Sequence, residues 1–459
     1  MKQSIQYFLL FPFIIISLMS SNKQMLASTD INHDIFLITP LLESLSNNFN
    51  IGRFLSYFPH NNVHNHAHVH APVFTFSTNI FTPTKTDNAS YFHTILEVDS
   101  LKASGLNYIS NHYFYGNAEW KKWARIPFYW IGLGLQSTLF RSDLIIHEWG
   151  HYSRLQAAGV QASIGVGPYE ANLRRYSPYF WDIAIFLSTN GIGRGGYVSF
   201  NDDLSLLSPK TKLLVAGAGL NNHSAVSDYY DEHVFLSGGG SIFQATSVFS
   251  RMGIGLYGRF DTGKGNDIDS FMETYAQESV DTPLNRLHFV NIGDSTIWSG
   301  STWAYFIGLS RYFLWGQTTY DPLEFHSFLI PNQTVYLSSK GTTRKVTSGY
   351  RWSDSMLGLF GVEWVEVGQP FEEYTLGLFI RNLMLNRTCI TVLSKWMVSS
   401  KGTLSSELTV STPISPTWTL KGHVAWWDQN SLIGERNTLD YRNRHSLQFT
   451  LMASYHPFH

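Results

Sequence analysis

The chain of 459 residues is poor in several features that often reveal a protein's class. Cys389 is its only cysteine, so no disulfide can form within the chain. The net charge is −2, which gives no electrostatic footprint for nucleic acid. Charged residues make up 14% of the chain, against roughly 25% in typical soluble domains. We therefore expect neither a disulfide-stapled scaffold nor a nucleic-acid partner.

Long apolar runs are also scarce. A membrane helix needs about 20 mostly apolar residues, whereas the uncharged stretches 126–140, 234–250 and 295–310 are short or rich in polar residues. The mean hydropathy is −0.10. The aromatic content of 15% is nevertheless high, and aromatic-rich, charge-poor chains fit a membrane interface or an outer-membrane barrel. We expect membrane association, with the choice between inner and outer membrane left open.

The N-terminal segment is typical of a signal peptide. Lys2 precedes an uncharged apolar stretch at 7–19, which is too short to span a membrane but long enough for a signal-peptide core. We predict a signal peptide over 1–27 and export to a bacterial cell envelope. An uncleaved membrane anchor is the alternative.

A histidine-rich tract lies between His60 and His70, within an N-terminal region at 28–115 that has no clear periodicity. Its last four histidines occupy alternate positions, so an extended segment would project their imidazoles from one face. Such a tract predicts metal binding, with delivery of the metal to an active site as its expected role. The alternative is a segment that holds no ordered metal.

The strongest motif is His147-Glu148-Trp149-Gly150-His151. On a helix, positions i and i+4 share one face, so both imidazoles can bind one Zn²⁺. Glu148 is then placed to act as a general base on a metal-bound water. An apolar helical pattern surrounds the motif and ends at Gly159. The motif predicts a zinc site held by His147 and His151.

Two segments resemble the site-2 protease family of intramembrane zinc peptidases. The first, 147–168, reads HEWGHYSRLQAAGVQASIGVGP, and the second, 208–221, reads SPKTKLLVAGAGLN. Ala218 stands where that family has proline. The resemblance covers roughly 126–275, and it implies that small residues pack the second segment closely on the motif helix. It also gives Asn221 a supporting role in positioning substrate.

The resemblance further implies an aspartate as third metal ligand, in a segment of the form Asn…Pro…Leu-Asp-Gly. The nearest match is 265–270, which lacks the proline and has Ser270 in place of the glycine. Asp269 is the preferred ligand and Asp267 its rival. A soluble zinc peptidase would instead take its ligand from a cluster downstream of Asn221, whose candidates are His223, Asp228, Asp231 and Glu232.

The fold class predicted is α+β. Residues 116–320 are expected to form a helical metallopeptidase-like domain, in which glycine-rich breaks are turns rather than nucleotide sites. From 321 to 459 the period changes to two, which predicts an antiparallel β domain, either a barrel or a sandwich. The predicted strands lie at 334–337, 358–367, 373–380, 389–398, 407–411, 417–427 and 447–455.

Together these features predict an exported zinc metalloendopeptidase that hydrolyses protein or peptide substrates and is membrane-associated. Glu148 is its expected catalytic base, and no nucleotide is expected to bind. The alternative is a non-enzymatic envelope protein, a β-barrel or binding module in which the HEWGH helix is structural.

Overall fold

A computed structural model describes most of the compact unit formed by 68–459. The described ranges are 74–78, 88–138, 142–166, 169–170, 196–200, 207–237, 240–261, 266–278, 283–385, 388–415, 418–437 and 445–455. The predicted signal peptide and the histidine tract lie outside them.

Eleven α-helices are described, together with a 3-10 turn at Thr296–Trp298. They are α1 (Asn88–Phe114), α2 (Glu119–Thr138), α3 (Ser142–Ala157), α4 (Pro209–Ala216), α5 (Ala218–Ser237), α6 (Thr246–Arg251), α7 (Gly253–Phe260), α8 (Asp267–Glu278), α9 (Arg286–Ser295), α10 (Gly300–Trp315) and α11 (Leu432–Asn437). In this part of the chain, no helix combines the length and apolar character that crossing a bilayer requires.

Six short or isolated strands precede the main C-terminal run of strands. They are β1 (Phe74–Thr78), β2 (Ala162–Val166), β3 (Tyr169–Glu170), β4 (Gly196–Phe200), β5 (Gly240–Ser241) and β6 (Thr319–Tyr320). The remaining strands are β7 (Glu324–Phe325), β8 (Phe328–Leu329), β9 (Asn332–Ser338), β10 (Gly341–Ser353), β11 (Met356–Gly368), β12 (Glu372–Leu385), β13 (Thr388–Ser399), β14 (Leu404–Ser415), β15 (Trp418–Asp428) and β16 (His445–Tyr455).

Helix α3 lies at the centre of the helical part and is buried along almost its whole length. Its apolar side chains, among them Ile145 and Trp149, pack against Leu96 of α1, Val226 of α5 and Ile164 of β2. The helix ends where predicted, because Gly159 adopts φ +81°, a left-handed conformation that favours glycine. The motif helix is therefore held on several sides by other elements.

The main sheet contains eleven strands, and from β10 to β16 each pairs antiparallel with the next along the chain. The prediction of an α+β fold with a C-terminal antiparallel sheet is confirmed. The described strands from β7 to β16 belong to one open sheet, so neither the barrel nor the sandwich that we expected is seen in them.

Four strands of this sheet were not predicted: β1, the two-residue strands β7 and β8, and β10. Strand β10 has charged residues along its length, and this obscures its alternating pattern. Strand β1 lies in the N-terminal region that lacks periodicity, yet it pairs with β16, with Phe74 opposite Tyr455. Because its partner is at the far end of the chain, no local pattern could reveal that pairing.

The edge of β9 is covered by the helical part. The Asn221 side chain of α5 donates from Nδ2 to the Leu337 carbonyl and accepts from the Leu337 N–H, both at 2.7 Å. The Ser299 hydroxyl pairs in the same way with the backbone of Gln333. At Leu337 and Gln333 these side chains take the place of a further strand and satisfy the backbone groups of the edge.

Replacing Asn221 with alanine is expected to destabilise the protein by about 2–4 kcal/mol, because it leaves a buried N–H and a buried carbonyl of Leu337 unpaired. Urea unfolding measures the loss. Asn285→Ala is the control, since Asn285 caps the exposed start of α9 and its loss costs about 1 kcal/mol. An Asn221→Ala loss no larger than that of the control would contradict the bridging role.

Candidate metal centre

Three side chains converge on one point between α3 and α8. His147 and His151 lie one turn apart on α3, and Asp267 is the first residue of α8. The Asp267 Oδ2 atom is 3.0 Å from His147 Nε2 and 3.2 Å from His151 Nε2, and the two Nε2 atoms are 3.3 Å apart. Within the described ranges, this is the group of three potential ligands that could hold one metal ion.

The triangle of ligand atoms has the size that zinc requires. Zinc–nitrogen distances of about 2.0–2.1 Å in a tetrahedral site place neighbouring ligand atoms about 3.3 Å apart. His151 Nδ1 lies 2.8 Å from the Val215 carbonyl oxygen, to which it can donate its proton. That bond leaves the lone pair of His151 Nε2 facing the cluster, as a metal ligand needs.

The His–Asp electrostatics of the cluster are compatible with a bound cation. Burial alone would raise the pKa of Asp267, but the imidazoles of His151 and His147 outweigh it and hold that pKa well below its usual range. Burial alone would lower the pKa of His151, but the Asp267 carboxylate raises it to about 9. A divalent cation would balance the carboxylate while both imidazoles are neutral.

Glu148 lies beside the triangle and is only 4% exposed. Burial raises its pKa, while the charges of His147 and His151 oppose the increase. Its side chain lies against Gly196 of β4, where a Cβ atom would come within 2.6 Å of Oε1. The close approach of β4 therefore encloses the carboxylate.

Small residues allow α5 to approach α3. A Cβ atom at Gly150 would lie 2.6 Å from the Ala218 carbonyl oxygen, and one at Gly219 would lie 2.5 Å from His151 Nε2. The Asn222 amide donates to the Ile146 carbonyl at 2.8 Å, which fixes α5 against the motif helix. The expected close packing of the second segment on α3 is present, and Gly219 lies directly against both imidazoles.

The expectation that Asp269 joins the cluster requires correction. Asp269 Oδ1 instead accepts from Arg286 at 2.5 Å, and its Oδ2 accepts from the Asn266 side chain at 2.8 Å. Residues two apart on a helix project about 200° apart, so only one of Asp267 and Asp269 can face the histidines. The structure brings Asp267 to them.

Three of the four rival ligands on α5 have other partners. Asp228 accepts from Lys345 Nζ at 2.5 Å, Asp231 from Arg251 at 2.5 Å, and Glu232 from Lys395 at 3.0 Å. His223 lies closer, with its ring centroid 5.3 Å from that of His147. Burial and the charge of His147 lower the His223 pKa to about 3, so this imidazole is neutral beside the cluster.

Three neighbours of the cluster were not predicted in these roles. The Tyr257 ring of α7 stacks on the His147 ring, with the two ring centroids 5.2 Å apart. Burial raises the pKa of Tyr257, and the charge of Asp267 raises it further. Gly219 and Asn222 lie beside the motif helix, as described above. Only the small residues carried a sequence signal, through the resemblance. The predicted supporting residue Asn221 bonds to Leu337 of β9 rather than lying in the cluster.

No protein-family model, curated protein or solved structure matches this chain. The functional argument therefore depends on the motif and the geometry of the site.

Alanine substitutions at Asp267 and Asp269 show which of the two aspartates binds zinc. Asp267→Ala is expected to weaken zinc binding by more than about 100-fold, the upper end of what losing an outer-shell partner costs. Asp269→Ala is the matched control and should retain zinc, because that side chain bonds to Arg286. Competition with a fluorescent chelator measures both affinities. Equal affinities in the two variants would contradict the assignment.

Proposed function

We propose that the protein is a zinc-dependent metallopeptidase that hydrolyses protein or peptide substrates. The observation that carries the proposal is the triangle of His147, which is buried, and His151 and Asp267, which are half-buried, with the buried Glu148 carboxylate beside it. Three protein ligands with one open position are typical of catalytic zinc sites, whereas structural sites usually have four protein ligands. The described group supplies three.

The ligands have distinct roles in this proposal. His147 and His151 would bind zinc through Nε2, and Asp267 through Oδ2. When bound, zinc would supply a Lewis acid that lowers the pKa of a water molecule and polarises the substrate carbonyl. The His151–Val215 hydrogen bond orients one imidazole, and Gly219 leaves room for both.

Glu148 performs the proton transfers. Its carboxylate accepts a proton from the water whose oxygen attacks the peptide carbonyl carbon, and then delivers that proton to the leaving amine nitrogen as the carbon–nitrogen bond breaks. Burial raises the Glu148 pKa, which makes the carboxylate a stronger base than an exposed glutamate. Gly196 of β4 lies directly against this carboxylate.

Glu148→Gln is expected to retain zinc and to lower peptide hydrolysis by at least about 100-fold, since a general base contributes about 10²–10⁴-fold. The amide has nearly the same shape as the carboxylate but cannot accept the water proton. Cleavage of fluorescently labelled casein measures the activity, and metal analysis measures the zinc content. Glu273→Gln on the exposed side of α8 is the control and should leave both unchanged.

Hydrolysis at the wild-type rate by Glu148→Gln would exclude the proposed base. A wild-type protein that binds no zinc and cleaves no peptide would favour the non-enzymatic alternative, with α3 as a structural helix.

A further inference from the structure

The side of the sheet that faces away from the helices is apolar over most of β11 to β16, apart from Glu366 and Glu372 beside the β11–β12 turn; we call it the outer face. Its side chains stand on neighbouring strands and are open to the surroundings: Leu376 on β12 is 64% exposed, Trp396 on β13 47%, Leu408 on β14 42% and Leu447 on β16 51%. Trp396, Ser406, Trp426 and Leu447 lie opposite one another across four strands. The exposed apolar groups therefore form one continuous surface.

Charged groups occupy the opposite side of the same strands. Lys395 of β13 lies 3.0 Å from Glu232 of α5 and 2.7 Å from Glu407 of β14. Glu363 of β11 pairs with Arg436 of α11 at 2.5 Å. These groups line a cavity of about 630 Å³ between α5 and the sheet. No lysine, arginine, aspartate or glutamate takes an outward position on β13, on β14, or from Trp418 to Trp426 on β15.

This orientation of apolar and charged side chains is the reverse of the one usually found in a sheet that has one face in water. An antiparallel sheet with one solvated face normally turns its apolar side chains to the core and its polar ones to solvent. Here the paired charges lie inside and the apolar side chains lie outside. Strands that face lipid show this inverted alternation, since a hydrocarbon surrounding excludes charge.

The height of the outer face matches a bilayer. On β15 the outward positions run from Trp418 to Trp426, so aromatic rings stand at both ends of the apolar stretch. A strand that crosses a bilayer at a tilt of about 45° needs about 9–11 residues, and the stretch from Trp418 to Trp426 has nine. The apolar band of lipid-facing strands carries aromatic residues at both interfaces. A protein interface would instead carry about one hydrogen bond per 100–200 Å².

The edges of the sheet are compatible with such a setting. Unpaired backbone groups are very costly in hydrocarbon. Strand β9, which pairs with β10 beside the main strand order, has backbone groups of its edge bonded by Asn221 and Ser299, and β1, at one end of that order, contacts α1. The helical part thus lies against β9 and β1.

We infer that the outer face of β11–β16 contacts the acyl chains of a lipid bilayer, with Trp418 and Trp426 at its two interfaces. The charged inner face and α5 are shielded from the lipid by the sheet. The inference does not depend on the metal centre, so it stands or falls separately from the proposed peptidase.

Site-specific fluorescence in lipid vesicles tests the inference. The full-length chain carrying Cys389→Ser receives one new cysteine, by Leu408→Cys or Leu376→Cys on the outer face, or by Ser411→Cys on the inner face as the matched control. Each is labelled with bimane and reconstituted into phosphatidylcholine vesicles with or without bromine on the acyl chains. Circular dichroism verifies that each variant is folded.

Bromolipid is expected to quench the labels at 408 and 376 at least about three-fold more strongly than the label at 411, because quenching needs contact with the acyl chain. Equal quenching at all three positions, or none at 408 and 376, would overturn the inference. A dimer would also overturn the inference. In that case the lipid-free protein would have twice the monomer mass, and the label at 408 would be shielded from aqueous iodide because a second copy covers the outer face.

Discussion

Helix α5 meets a different requirement on each of its faces, and the metal centre and the sheet both depend on this. Toward α3 it presents Gly219 and Asn222, which allow the backbone to approach the imidazoles and fix the separation of the two helices. Toward β9 it presents Asn221, which satisfies a strand edge. Toward the inner face of the sheet it presents Glu232. A shift of α5 would disturb all three contacts together.

Ion pairs, rather than a continuous apolar core, connect much of α5 to the sheet. Buried charges are tolerated only when they are well paired, because removing one partner leaves the other uncompensated. Lys395 between Glu232 and Glu407 meets this condition. Apolar packing takes over near the end of α5, where Phe235 contacts the cluster that contains Leu393. Because ion pairs hold much of the inner face against α5, many of the large apolar side chains of the sheet lie on its outer face.

The sequence was informative where the signal was local. The HEWGH helix and its end at Gly159 follow from a helical period and a glycine, and most C-terminal strands follow from alternation. The choice of Asp267 over Asp269 did not follow, because it depends on the rotation of α8, which is set by contacts such as the buried Ile268 with α4 and β9.

The sequence also did not predict the long-range strand pairing, or which face of the sheet points toward the helices. A period of two shows that a strand has two faces but not which one points inward, so the inversion of the sheet could be seen only in the structure. Strand β1 has five residues and pairs with the end of the chain. Neither feature has a local signature.

Zinc K-edge X-ray absorption tests the central claim that His147, His151 and Asp267 form a metal centre. The sample is the protein with His64, His66, His68 and His70 changed to asparagine, loaded with one equivalent of zinc. We expect four nitrogen or oxygen neighbours at about 2.0–2.1 Å, with the outer-shell scattering of two imidazoles. A shell without imidazole scattering, or zinc that dialysis removes completely, would contradict the account.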